Sequence, residues 1–136
     1  MLKVFLDRLP KGLLSLITFL AILWLTLAPK PLGDEPPSLF PGADKVVHGI
    51  MFGGFASMLM LDWQRKHHWC KVNWIRAILS ASVSSILGIL IEIAQAHMGL
   101  GRGFEYADII ADTIGAFSFA LIFLYLQNFW LSSHKK

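Results

Sequence analysis

The sequence predicts an all-α polytopic membrane protein, a bundle of four transmembrane helices, and three observations carry that expectation. Hydrophobic residues make up 55% of the 136 positions and charged residues only 15%, with a mean hydropathy of +0.58. A soluble domain this small has too little interior to hide that much apolar surface. Four apolar segments each approach the roughly 20 residues with which a helix crosses about 30 Å of hydrocarbon. The basic residues collect in short flanks between those segments, which is how orientation in a membrane is encoded.

The first segment runs from about Leu13 to Ala28 and is stopped by Pro29. Its basic flank of Lys3, Arg8 and Lys11 raises the rival reading of a cleaved signal peptide. Thr26-Leu27-Ala28-Pro29 lacks a small-x-small cleavage pattern, so the segment is expected to stay as an anchor. The second segment spans about Val46 to Leu61, the third about Ile75 to Ala96 and the fourth about Ala107 to Leu131. The first two are short and the last is long, so helix tilt is expected. No repeat divides the chain, and residues 1–136 read as one membrane domain.

The loop between the second and third segments carries Arg65, Lys66, Lys71 and Arg76, and the tail ends in Lys135 and Lys136. The other two loops set Lys30, Lys45 and Arg102 against Asp34, Glu35, Asp44 and Glu105. Both termini are therefore expected on the cytoplasmic side of the membrane, with Trp24, Trp63, Trp69, Trp74 and Trp130 near the interfaces. The net charge of +3 does not point to nucleic acid, because no stretch is densely basic. The single Cys70 excludes an internal disulfide.

That topology gathers polar residues at the outer end. Asp44, Lys45 and His48 open the second span, Glu92 and Gln95 close the third, and Asp108 and Asp112 open the fourth just after Arg102. Ionisable groups in spans are costly and mark a functional site by default. Residues three or four apart share a helix face, so Asp44 with His48, Glu92 with Gln95, and Asp108 with Asp112 are each expected to project one way. Ser80, Ser84 and Gly88 extend the Glu92 stripe, and Gly115 and Ala116 lie below Asp112; these small residues are expected to face one another. Gly49 and Gly53, turned away from His48, are expected to serve a different contact.

The order Asp44-Lys45-x-x-His48, Glu92-x-x-Gln95, then Arg102 followed by Asp108-x-x-x-Asp112-x-x-Gly115 resembles the VanZ-like family of small bacterial membrane proteins. The motifs run from about residue 44 to 116, and the family's four-span outline covers nearly the whole chain. One departure is Asp112, where the family pattern more often has asparagine. The resemblance implies a membrane location and supplies no reaction.

The residue types themselves suggest three uses. Lys45, Arg102 and Gln95 would hold an anionic lipid headgroup or a lipid-linked cell-wall precursor, with Arg102 offering a bidentate fork. His48, oriented by Asp44 or by a carboxylate such as Asp108 or Asp112, would act as general base or nucleophile while Glu92 shuttles protons. A ligand would alternatively be held without chemistry. In a purely structural use, Lys45 and Arg102 neutralise the carboxylates in a buried network that fixes helix register within a larger complex, a homo-oligomer being one such assembly. No cofactor is assigned; a divalent metal would suit the donors, magnesium or manganese better than zinc, but the neighbouring Arg and Lys oppose it.

Elsewhere, His67, His68 and Cys70 lack a fourth zinc ligand and read as a solvated loop. His97 is expected at the interface, and Pro31, Pro36, Pro37 and Pro41 stiffen the first outer loop into a rim. Phe117, Phe119 and Phe123 are expected against lipid or between helices.

Overall fold

A computed structural model describes residues 2–29, 40–99 and 103–132. Pro31, Pro36, Pro37, Arg102, Lys135 and Lys136 lie outside the described residues. Every regular element among the described residues is an α-helix: α1 Leu2–Arg8, α2 Leu13–Leu27, α3 Ala43–Lys66, α4 Trp74–Met98 and α5 Tyr106–Ser132. The apolar segments thus become α2 to α5. Three of these are long and apolar enough to cross a membrane, in Ala43–Lys66, Trp74–Met98 and Tyr106–Gln127, and α2 is a shorter apolar helix.

The boundaries follow local chemistry. Ala28, preceding Pro29, is extended at φ −68° and ψ 141°, as the residue before proline prefers, and ends α2. Asn73 caps α4 by accepting a hydrogen bond from the Arg76 amide at 2.9 Å, and Gly99 closes it with φ 62°. α3 extends beyond the expected Val46–Leu61 at both ends, because Asp44, Lys45, Asp62, Gln64 and Arg65 are polar without being helix breakers. α1, expected only as a basic flank, is helical; the Trp69 indole N–H donates to both Asp7 oxygens at 3.1 Å and holds that carboxyl below the usual carboxylate range.

The tightest packing is between α3 and α5. A Cβ at Gly115 would collide with the Gly49 backbone, and one at Gly53 would lie 2.6 Å from the Phe119 ring. Absence of side chains lets the two backbones meet, as small residues do in membrane bundles. This corrects two expectations. Gly49 and Gly53 face α5, the helix that also carries Asp112, and Gly115 meets α3 rather than the α4 stripe. On α4, Ser84 turns to α3, donating its hydroxyl to the Phe52 carbonyl at 2.7 Å, and only Gly88 sits against Asp112. Ala56, Met60, Ala81 and Ala116 form the core among α3, α4 and α5. Phe52, Phe55, Ile22 and Ile91 join α2 to it. Ile86, Leu90, Ile114 and Leu121 are more than half exposed, an outer surface suited to lipid.

Gly115→Ala is expected to destabilise the bundle by about 1–3 kcal/mol through overpacking against Gly49. Gly54→Ala, whose new Cβ meets nothing within 4 Å, should leave melting in detergent unchanged.

Candidate functional site

Lys45 and His48 stand in the first two turns of α3, Asp108 and Asp112 in the first two turns of α5, and Glu92 near the end of α4. These ends come together at one end of the bundle. His48 Nδ1 lies 3.0 Å from Asp112 Oδ1, and its Nε2 lies 3.9 Å from Asp108 Oδ2, too far for a hydrogen bond. The imidazole is stacked on Phe52 one turn below, with centroids 6.1 Å apart. Asp112 is 1% exposed, and its other oxygen, Oδ2, has no hydrogen-bond partner. A Cβ at residue 88 would come within 2.5 Å of that oxygen, so Gly88 is what gives the Asp112 carboxylate its place against α4.

Glu92 is also 1% exposed. Its Oε2 accepts the Glu105 backbone N–H at 3.0 Å, which ties the end of α4 to the residue before α5, while Oε1 is buried without a partner. Lys45 is surrounded by acids: Nζ is 2.7 Å from Asp44, 2.5 Å from Glu105 and 2.7 Å from Asp108 Oδ1. The last contact is an ion pair by distance that is not aligned as a hydrogen bond. One ligand atom each from His48, Glu92 and Asp108 lie within 4.8 Å of one another, and so do atoms of Asp44, Glu105 and Asp108.

The expected set is therefore partly gathered and partly dispersed. His48, Glu92, Asp108, Asp112 and Lys45 meet, but Asp44 is exposed and serves Lys45 rather than His48, whose carboxylate is Asp112. Gln95 does not share the face of Glu92. It donates to the Thr26 carbonyl on α2 at 2.8 Å, because a three-residue step leaves it about 60° round the helix. Arg102 lies outside the described residues. Glu105 was expected only as a loop charge, although its position three residues before Asp108 places it beside the same turn.

A second polar cluster, at the other end of α3, was not anticipated. Arg65 is buried; Nη1 bonds Asp62 Oδ1 at 2.5 Å, and Nη2 donates to the Leu6 carbonyl at 2.5 Å and the Leu9 carbonyl at 2.8 Å. Asp62 Oδ2 accepts the Ser15 amide at 2.9 Å and its hydroxyl at 2.8 Å. The pair clamps the α1–α2 connection to α3. Its only sequence signal was an acid and a base three apart at the end of an apolar run. On the same side, Gln127 bridges to Val72, accepting its N–H at 2.8 Å and donating to its carbonyl at 2.7 Å. His67, His68 and Cys70 form no group of converging ligand atoms. His97 is exposed and bonded to its own helix at the Ile93 carbonyl.

A protein-family model described as VanZ/LLP1 matches residues 8–128, which include every residue of both clusters except Leu6. No curated protein and no solved structure matches the chain.

The clamp makes a stability prediction. Asp62→Ala leaves the Arg65 charge buried and is expected to cost about 3–5 kcal/mol, read as a lower melting temperature in mild detergent. Unchanged melting would show that Arg65 finds other partners.

Proposed function

This chain belongs to the VanZ/LLP1 family, and from that premise we propose that it is a four-span bacterial inner-membrane protein whose His48 site binds or modifies an anionic lipid or a lipid-linked cell-envelope intermediate. The proposed orientation puts both termini in the cytoplasm and the His48 end at the outer leaflet, following the distribution of Lys and Arg. The observation that supports a reactive site is the His48 Nδ1–Asp112 pair at the bundle end, where a partly buried imidazole meets a buried carboxylate.

A carboxylate on one ring nitrogen fixes the imidazole tautomer and leaves the other nitrogen as a base. Among the described residues Nε2 has no hydrogen bond and lies 3.9 Å from Asp108, so it can take a proton from a water or hydroxyl brought between them. Glu92, with one oxygen held by the Glu105 amide and one bare, is placed to relay that proton. The headgroup phosphate would be met by Arg102, because Lys45 is already engaged by three carboxylates. That same engagement favours a second reading, in which Lys45 ties α3 to α5 and the network only braces the bundle.

Reporter fusions at Ser38 and at the carboxyl terminus should report opposite sides of the membrane; the same side for both would end the four-span proposal. His48→Gln and Glu92→Gln are expected to accumulate and melt as the parent does while losing the lipid that co-purifies in mild detergent, measured by mass spectrometry. Retained lipid in both variants, with loss of folded protein in Lys45→Met, would decide for the bracing reading.

A further inference from the structure

We propose that His48 Nε2, Glu92 and Asp108 form a binding site for a divalent cation of the manganese or zinc type, with Asp112 as the group that orients the imidazole. Three features converge on it. The donor atoms of His48, Glu92 and Asp108 already lie within 4.8 Å of one another, and the 3.9 Å from Nε2 to Asp108 Oδ2 is a spacing that two ligands of one ion adopt. With metal–ligand bonds of about 2.1 Å, neighbouring donors sit roughly 3 Å apart and opposite ones about 4 Å apart. The Glu92 side chain is 1% exposed and its Oε1 has no partner, a bare carboxylate oxygen in a buried setting that an ion would satisfy.

The surrounding groups complete the arrangement. Metal-ligating histidines commonly donate the other ring N–H to a carboxylate, and Asp112 Oδ1 at 3.0 Å from Nδ1 provides this. Asp108 can serve two partners, with Oδ1 beside Lys45 and Oδ2 beside His48, so binding does not require Lys45 to leave. Among the described residues, the acids Asp44, Glu92, Glu105, Asp108 and Asp112 outnumber the single lysine, so the local charge favours a cation. One imidazole with two carboxylates suits an ion that accepts both nitrogen and oxygen, as Mn2+ and Zn2+ do, more than Mg2+. Three protein ligands leave coordination positions for water or for a phosphate oxygen. With Nε2 given to the ion, His48 serves as a ligand and no longer as the base, and the ion supplies the positive charge that Lys45 cannot offer to an anionic headgroup.

The test uses the full-length chain, stripped of metal and kept in mild detergent without added lipid, so that its outcome is independent of the lipid reading. Titration with MnCl2 is expected to show one saturable site per chain, with a pulsed-EPR coupling from an imidazole 14N. His48→Gln should abolish the coupling, and Glu92→Gln, Asp108→Asn and Asp112→Asn should each weaken binding by about tenfold or more. Asp7→Asn, at the far end of the bundle, should bind as the parent does. If the monodisperse parent protein binds neither Mn2+ nor Zn2+ saturably, or binds Mn2+ without nitrogen coupling, the proposal is overturned even if no variant folds.

Discussion

The close approach of α3 and α5 at Gly49 and Gly115 is the contact on which the site depends. Gly49 follows His48 in sequence, and Gly115 lies three residues beyond Asp112 on α5, so bringing the glycine backbones together sets the distance between the imidazole and the carboxylate. A side chain at Gly115 would push into the Gly49 backbone and part the helices, whereas one at Gly49 would meet the Ala111 carbonyl at 3.3 Å and ask for only a small shift. Gly88 plays the same part from α4, where a methyl group would occupy the place of Asp112 Oδ2. Small residues at three helix faces thus create the room in which large polar ones meet. In a bilayer this coupling matters more than in water, because apolar packing between helices gains little over contact with lipid tails.

The two polar clusters of α3 answer the same constraint in different ways. His48 and Arg65 are 17 residues apart, about 25 Å along the helix. At the Arg65 end the partners are a neighbouring carboxylate and backbone carbonyls of the α1–α2 connection, acceptors that meet a donor. Among the described residues, Arg65 Nε and the Trp63 indole nitrogen are left over there. At the His48 end the buried atoms without a hydrogen bond, among the described residues, are carboxylate oxygens of Glu92, Asp108 and Asp112. Buried acceptors without donors are destabilising unless something else meets them. The first cluster has the character of a clamp, and the second that of a set of buried acceptors with few donors.

How much of this could be read in the sequence depended on whether a feature was local. The four apolar segments and the stop at Pro29 are properties of consecutive residues, and they became α2 to α5. The meeting of His48, Glu92, Asp108 and Asp112 was also legible, because polar residues at one end of antiparallel apolar segments have few places to go. What failed were the finer directions. Asp44 and His48 share a face, yet Asp44 sits in the exposed first turn, where Lys45 reaches it first. Glu92 and Gln95 share a face only loosely, and the presence of α2 on one side of α4 sends Gln95 to Thr26. The Asp62–Arg65 clamp is not legible in the sequence, because Arg65 reads as one more topological charge and its further partners are carbonyls that no sequence pattern reveals.

Lys45 shows why residue type alone was a poor guide to the ligand. A lysine beside an arginine at a membrane interface suggests a phosphate, but a charge is available to a ligand only if its own neighbours have not already neutralised it. Asp44, Glu105 and Asp108 all lie within 2.7 Å of Nζ, so an incoming phosphate would have to displace carboxylates that carry the same charge and are already in place. Among the described residues, the buried carboxylates Glu92 and Asp112 have no such neutralising neighbour beyond the imidazole and one backbone amide. The field at the buried end of the site therefore selects for a cation or a proton. An anionic headgroup is compatible with it only when a cation, from Arg102 or from a bound ion, stands between the phosphate and the acids.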